Sequence, residues 1–357
     1  MGECNMSKLK IAYSSKIDEP YKSKLEEICE IHPIGRDLLG RKPTEDEMLE
    51  QGMGYEVVYV ADEVVTAKCI KTWSENGLKL LGCGRGTPVN LDWKAAAEAK
   101  IPIVYTPGRN ANSVSEYVFG LIIGLVRRIA ANNHALRNGR YMGPEKENVL
   151  DIDAQQDVVW MFPDGTSPMF DFGGGFELYG RTIGLIGFGA IGRRVANTAK
   201  NGFGMAVKVY DPFCTKEDIE SGGYEKVELD EALSASDIVS IHLPVNPETR
   251  GIVDKSWFDR MKSTAIFINS ARASVVDQKA LIDALDEGKI AGAAMDVMWQ
   301  EPAPANHPLI DRDNVLITSH LAGMSCDVSK WQSEMIYDEI ERYVKGQPPK
   351  RVWTRLE

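Results

Sequence analysis

The stretch Gly184-Leu-Ile-Gly187-Phe-Gly189-Ala-Ile-Gly192-Arg-Arg-Val195-Ala196 decides the fold. It sets Gly-x-Gly-x-x-Gly directly after the apolar run Thr182 to Ile186 and opens a helical pattern. Each glycine then has a physical task. Gly187 permits a tight strand-to-helix turn, Gly189 lets backbone approach a pyrophosphate, and Gly192 lets the helix pack close to the sheet. The free N–H groups of the helix start, at Ala190 and Ile191, and the positive end of its dipole suit that anion. The fingerprint alone is weak, but its context strengthens it. The next apolar run, Val207-Lys-Val-Tyr210, ends in Asp211, about 20 residues on, where a carboxylate can bind adenosine ribose hydroxyls. The pattern predicts a dinucleotide site, and the acid favours NAD over NADP.

Outward from this turn, short apolar runs alternate with helical patterns along the whole chain, as in βαβ units and parallel sheets. The first third has runs at Leu9–Tyr13, Val57–Val60, Leu78–Leu81 and Ile101–Tyr105. The second part has six: Thr182–Ile186, Val207–Tyr210, Ile238–Leu243, Ala265–Ile268, Ile290–Met295 and Val315–Thr318. Those six are expected to form a doubly wound nucleotide-binding sheet. Between the sets, Ser113-Val-Ser-Glu116 reads as a capping box opening a long helix to about Asn132. Its apolar face, Val118, Leu121, Ile122, Leu125 and Val126, suits core packing or a subunit interface. From Asn138 to Tyr179 the periodicity dissolves into Asp, Gly and Pro. So long a connection is uncommon unless it is a functional loop or an arm. The aromatic cluster Trp160-Met-Phe-Pro163 is expected to dock on something.

At 357 residues the chain is long enough for two cores. Its 43% hydrophobic and 26% charged residues are ordinary for a globular protein. A net charge of -11 argues against nucleic acid and anionic membrane as bulk partners. The six cysteines show no Cys-x-x-Cys and no metal spacing, which reads as reduced thiols, no metal site and a cytoplasmic location. No apolar signal-peptide core opens the chain, and the longest apolar run, Tyr117 to Val126, is too short to span a bilayer.

Three segments following late strands carry candidate chemistry: Ile268-Asn-Ser-Ala-Arg272, Met295-Asp296-Val-Met-Trp-Gln-Glu301-Pro302 and Ser319-His320-Leu-Ala-Gly323. Ligands of open α/β sheets sit outside the carboxyl ends of the strands. Arginine offers a fork for a carboxylate. Histidine can pass a proton near neutral pH. A paired glutamate would favour the imidazolium and fix the ring.

With Asp211 and Ile241-His-Leu-Pro244, these motifs resemble the D-isomer-specific 2-hydroxyacid dehydrogenases over nearly the whole chain. The resemblance implies two Rossmann-like or flavodoxin-like parallel-sheet domains. An NAD-binding domain over 113–321 is inserted into a discontinuous substrate domain over 1–112 and 322–357. It also implies catalytic roles. Arg272 binds the substrate carboxylate and polarises the keto oxygen, His320 protonates that oxygen, and Glu301 supports His320. Asp296 holds the nicotinamide carboxamide. His242, Pro244, Ser270, Ala271 and Gly323 stand at the cofactor, and the protein is a homodimer through its cofactor domain.

The loop Gly84-Arg85-Gly86 follows a strand and suits presentation of N–H groups to a carboxylate. Arg85 departs from the small or aliphatic residue usual in the family. Either it binds a second anionic group of the substrate, or it pairs with an acidic neighbour and shapes the loop. Arg109 reads as structural. The expected activity is NAD-linked interconversion of a 2-keto acid and a D-2-hydroxy acid, including a phosphorylated or sugar-derived acid such as 3-phosphoglycerate. The alternative is a non-catalytic NAD(H)-sensing protein on the same fold. Formate oxidation fits less well, because formate dehydrogenases carry Gln where Glu301 stands.

Overall fold

Val57–Val60 and Leu80–Cys83 bury every residue, a pattern that strands adopt when helices cover both faces of their sheet. The computed structural model describes residues 8–143, 145–150, 161–162 and 164–353. The chain divides into two compact units, Met1–Asn110 with Met324–Glu357, and Ala111–Gly323.

The first unit carries β1 (Leu9–Tyr13), β2 (Cys29–Pro33), β3 (Val57–Val60), β4 (Leu80–Cys83) and β5 (Ile103–Tyr105). They form one parallel sheet in the order β2-β1-β3-β4-β5. That is the flavodoxin-like doubly wound order, with its switch point between β1 and β3. The sequence reading lacks β2. Its Cys-Glu-Ile-His-Pro edge strand carries polar residues and a proline, and it buries only Cys29 fully.

The second unit carries β6 (Thr182–Ile186), β7 (Ala206–Tyr210), β8 (Glu225–Lys226), β9 (Ile238–Ile241), β10 (Ile266–Asn269), β11 (Gly292–Met295) and β12 (Val315–Ile317). Its sheet runs β12-β11-β10-β9-β6-β7-β8, so seven strands stand where six are expected. The extra one, β8, is two residues long and has no apolar run to mark it. Strand alternation divides the core between the two faces. Ile183, Leu185, Ile266 and Ile268 pack with the helix Ala111–Val126. Ile186, Phe267 and Val239 pack with the helix Gln278–Asp286 and its neighbours.

The long helix differs from its expected form. It starts at Ala111 and ends at Val126; Arg128 turns left-handed at φ 53°, and a second helix runs Ile129–Arg137. No glycine or proline announces that break. Ser113 therefore lies inside the helix, and its hydroxyl donates to the Ala322 carbonyl at 2.8 Å instead of closing a capping box. Val118, Leu121, Ile122 and Val126 are buried, so this face is core.

In the irregular stretch 138–179, Trp160 and Pro163 lie outside the described residues. A short helix, Pro168–Phe172, is capped by Ser167. Asp171 accepts hydrogen bonds from Arg140 and Tyr141, and its carbonyl accepts one from Arg128 at 2.8 Å. The Tyr141 ring lies against Phe162 and Phe172, so this part of the arm docks on its own chain.

Candidate active site

The fingerprint forms the turn between β6 and the helix Ala190–Phe203. Gly187 sits at φ 101°, and a Cβ there would meet the His242 carbonyl at 2.8 Å. At Gly192 a Cβ would meet the Gly187 carbonyl at 2.3 Å, so neither position admits a side chain. A Cβ at Gly189 would meet nothing within 4 Å, which leaves open space above the turn. Gly189 is the helix N-cap and supplies no side-chain cap, so the first N–H groups keep their capacity for an anion. Asp211, just past β7, accepts the Phe188 N–H at 2.7 Å and the Phe213 N–H at 2.8 Å. Each oxygen keeps a lone pair for a ribose hydroxyl. Ser270, just beyond β10, has a buried hydroxyl with no partner among the described residues, and Ala271 beside it is partly buried. Pro244 is exposed after β9, and Gly323 is half-buried where the unit ends. The residues present fit a dinucleotide.

His320 and Glu301 meet directly. His320 Nδ1 lies 2.8 Å from Glu301 Oε2, and each side chain is 41% exposed. A carboxylate only accepts, so Nδ1 carries the hydrogen of this bond and Nε2 is left for substrate. The other Glu301 oxygen accepts the Met298 N–H at 3.0 Å. Partial burial works to raise the Glu301 carboxyl. Hydrogen bonds from His320 and Met298, with the charges of His320 and Arg272, outweigh it and hold the group below its usual value. Arg272 is exposed after β10; its guanidinium donates to the Ala271 carbonyl at 2.6 Å and has no carboxylate partner among the described residues. Its charge is left for a ligand.

Asp296 is 0% exposed, directly after β11. One oxygen accepts the Thr318 hydroxyl at 2.6 Å and the Leu321 N–H at 2.9 Å; the other accepts the Ala322 N–H at 2.8 Å. Its backbone carbonyl accepts the His320 N–H at 2.8 Å. These bonds pin the loop on which His320 sits at φ 59°, a left-handed conformation that a non-glycine residue adopts at a cost of about 1–3 kcal/mol. Asp296 thus positions His320, a task additional to the expected hold on a carboxamide. Asn269 was overlooked as a site residue. Fully buried at the end of β10, it accepts the Ala271 N–H at 2.9 Å and donates to the Arg272 carbonyl at 3.0 Å. That side-chain turn aims Arg272, and an Asn after an apolar run is its sequence signal.

His242, expected at the cofactor, packs beneath the fingerprint, with its Cδ2 3.8 Å from where a Gly192 Cβ would be. Its Nε2 lies 3.1 Å from Ser240 Oγ. Burial pushes the imidazole down to about 4, so near neutral pH the ring is uncharged and a poor general acid. In the other unit, Arg85 has no acidic neighbour bonded to it among the described residues, which removes the loop-shaping ion pair. Gly86 lies close to Thr106, whose N–H donates to the Arg85 carbonyl at 3.1 Å. No group of side chains suited to a metal ion occurs among the described residues. No helix among them is long and apolar enough to cross a membrane.

Comparison with known proteins identifies this arrangement. Residues 166–322 match the family of the D-isomer specific 2-hydroxyacid dehydrogenase, NAD binding domain. A glyoxylate reductase of Korarchaeum cryptofilum (strain OPF8) is 36% identical over 261 residues, 73% of this chain and 71% of that protein. A D-3-phosphoglycerate dehydrogenase of Methanocaldococcus jannaschii is 31% identical over 340 residues, 95% of this chain. The chain spans only 58% of that protein's length. The holo crystal structure of Rhodotorula graminis D-mandelate dehydrogenase superposes with a TM-score of 0.78 at 23% identity, covering 99% of each chain. That last likeness shows the shared two-sheet fold. Taken with the fingerprint turn and the strand-end residues, the sequence relationships place the chain in the D-isomer-specific 2-hydroxyacid dehydrogenase family of NAD-dependent oxidoreductases.

Proposed function

We propose that the protein interconverts a 2-keto acid and a D-2-hydroxy acid, with Arg272, Glu301 and His320 as its catalytic residues. The observation that carries this reading is the His320–Glu301 pair at 2.8 Å, which commits Nδ1 and leaves Nε2 for substrate. Bound NAD(H) would supply or accept the hydride at the substrate carbon. The chain's own residues do the rest. Arg272 takes the carboxylate as a fork and draws electron density from the keto oxygen. In reduction the His320 Nε2–H bond breaks, and its proton goes to that oxygen. Glu301 stabilises the imidazolium before transfer, and in oxidation the same nitrogen takes the proton back. The fingerprint glycines, the N–H groups of Ala190 to Gly192, Asp211 and the Ser270 hydroxyl hold the dinucleotide; Pro244, Ala271 and Gly323 border it.

The substrate domain of the family is read onto 1–112 and 322–357, and the cofactor domain onto 113–321. A phosphorylated or sugar-derived acid such as 3-phosphoglycerate is the favoured substrate class, because Arg85 has no resident anion. A homodimer through the cofactor domain is supported by exposed apolar side chains there, among them Ile129, Leu136, Met169 and Phe170. The proposed location is the cytoplasm. The paired His320 and Glu301 favour turnover over a purely NAD-sensing role. Following NADH consumption against a panel of 2-keto acids tests the proposal. Saturable turnover of at least one is expected, and NADH binding without any turnover would favour the sensor.

A further inference from the structure

Arg109, the residue read as structural, lies beside the substrate loop without an anionic partner among the described residues. The flavodoxin-like sheet brings three strand ends together: Ser14–Ser15 after β1, Gly84–Gly86 after β4, and Thr106–Arg109 after β5. The Arg85 carbonyl accepts the Thr106 N–H at 3.1 Å, and the Thr106 carbonyl accepts the Arg109 N–H at 3.4 Å. Arg109 Nη1 donates to Gln332 Oε1 at 2.7 Å, and Gln332 Nε2 donates to Ser15 Oγ at 2.5 Å. Gly84 makes room for this relay, since a Cβ there would stand 2.6 Å from Ser15 Oγ and 3.2 Å from Gln332 Nε2. The guanidinium is therefore oriented by a buried neutral amide.

Elsewhere the same unit supplies carboxylates. Arg351, comparably shielded, binds Asp338 at 2.6 Å and Glu339 at 2.8 Å. Arg85 and Arg109 have no such partner among the described residues. Burial, and after it the charge of Arg85, pushes Arg109 below its usual value, so the two cations repel. On the same turn, Thr106 is fully buried and its hydroxyl has no partner among the described residues, another polar capacity left unused. Two adjacent uncompensated cations are costly, and an anion between them would relieve that cost.

We propose that Arg85 and Arg109 together form an anion subsite at the carboxyl edge of the five-stranded sheet, taking the second anionic group of a dianionic 2-keto acid. Gln332 is its positioning residue. The substrate rests on the function proposed above; the subsite itself rests on this unit alone. The shared chemistry is a distal carboxylate or phosphate, both of which match the arginine fork.

The test compares kcat/KM for monoanionic acids (glyoxylate, pyruvate) with dianionic ones (oxaloacetate, 2-ketoglutarate, 3-phosphohydroxypyruvate) in the parent, Arg85→Ala, Arg109→Ala and Arg109→Lys. Each alanine variant is expected to lower the dianion-to-monoanion ratio roughly 10- to 150-fold. Arg109→Lys should recover part of it, since charge returns without the fork. Which dianion suffers most identifies carboxylate or phosphate. A ratio that stays constant, with all substrates falling together, overturns the subsite. Retained NADH binding and an unchanged circular dichroism spectrum establish that each variant is folded. Should the parent reduce no keto acid, the function fails, but the subsite is still read from its response to inorganic phosphate. A saturable rise in Tm lost in both alanine variants supports it; no rise, or one that persists in them, overturns it.

Discussion

Beyond β11 and β12 in the seven-stranded sheet, charged groups come with resident partners: Asp296 accepts a hydroxyl and two backbone N–H groups, and Glu301 binds His320. Beyond β4 and β5 in the five-stranded sheet, Arg85 and Arg109 have no carboxylate partner among the described residues, and Arg109 is steered by an uncharged glutamine. The difference follows from what each group must do. A proton donor works only if ring and tautomer are set before substrate arrives, so a carboxylate bonded to the ring and a buried one pinning its loop are useful. A cation that recognises an anion is best left without a resident one, since a competing carboxylate would have to be displaced. Preorganisation thus uses charge pairs in one region and a neutral relay in the other.

The sharpest way to break the paired region beyond β11 and β12 is to remove its proposed proton donor. His320→Ala should lower 2-keto acid reduction by ~10²–10⁴-fold while NADH binding, followed by fluorescence, stays near that of the parent. Near-normal kcat would remove His320 from its role. Asp211 tests the cofactor end of the same sheet. Its carboxylate already receives two N–H groups, and the 2'-phosphate of NADPH against it would cost several kcal/mol. The parent is expected to favour NADH by ~100-fold or more in kcat/KM. Equal values for the two cofactors would refute the assignment.

A smaller effect isolates the pair itself. Glu301→Gln keeps the shape but removes the anion that favours a charged imidazole, so reduction should fade at lower pH than in the parent. A superimposable pH–rate profile would mean that the 2.8 Å contact does not govern proton transfer. The last prediction concerns stability. The folded His242 imidazole is held at about 4, against an ordinary 6.5. Between those values the unfolded chain takes up a proton that the folded chain refuses. The associated stability is therefore complete above about pH 6.5 and declines as pH falls towards 4, by up to about 3 kcal/mol. His242→Gln should flatten this part of the Tm–pH curve, and an unchanged slope would show that some other group dominates it.

Much of the site is readable in the chain because strand, turn and helix are local. The fingerprint glycines, Asp211 and the segments bearing Arg272, Glu301 and His320 all follow apolar runs, so their placement at strand ends comes from pattern alone. The edges were harder. β2 is polar and β8 is two residues long, so neither buries enough apolar surface to leave a trace. The break at Arg128 was invisible because a non-glycine residue adopts the left-handed turn there.

By itself, the sequence determined the βα alternation, the dinucleotide turn and the strand-end segments that carry the candidate side chains, since each depends on residues close along the chain. Tertiary structure alone decided which of these groups are partnered. Asp296 meets Thr318, Leu321 and Ala322 only because β11 and β12 are neighbours, and Gln332 reaches Arg109 only because a helix 223 residues further on packs onto the first sheet. Partnership depends on approach between distant segments, and hydrophobic periodicity carries no information about the distance between one side chain and another. That is why Arg109 reads as structural in the chain and stands as an uncompensated cation in the fold.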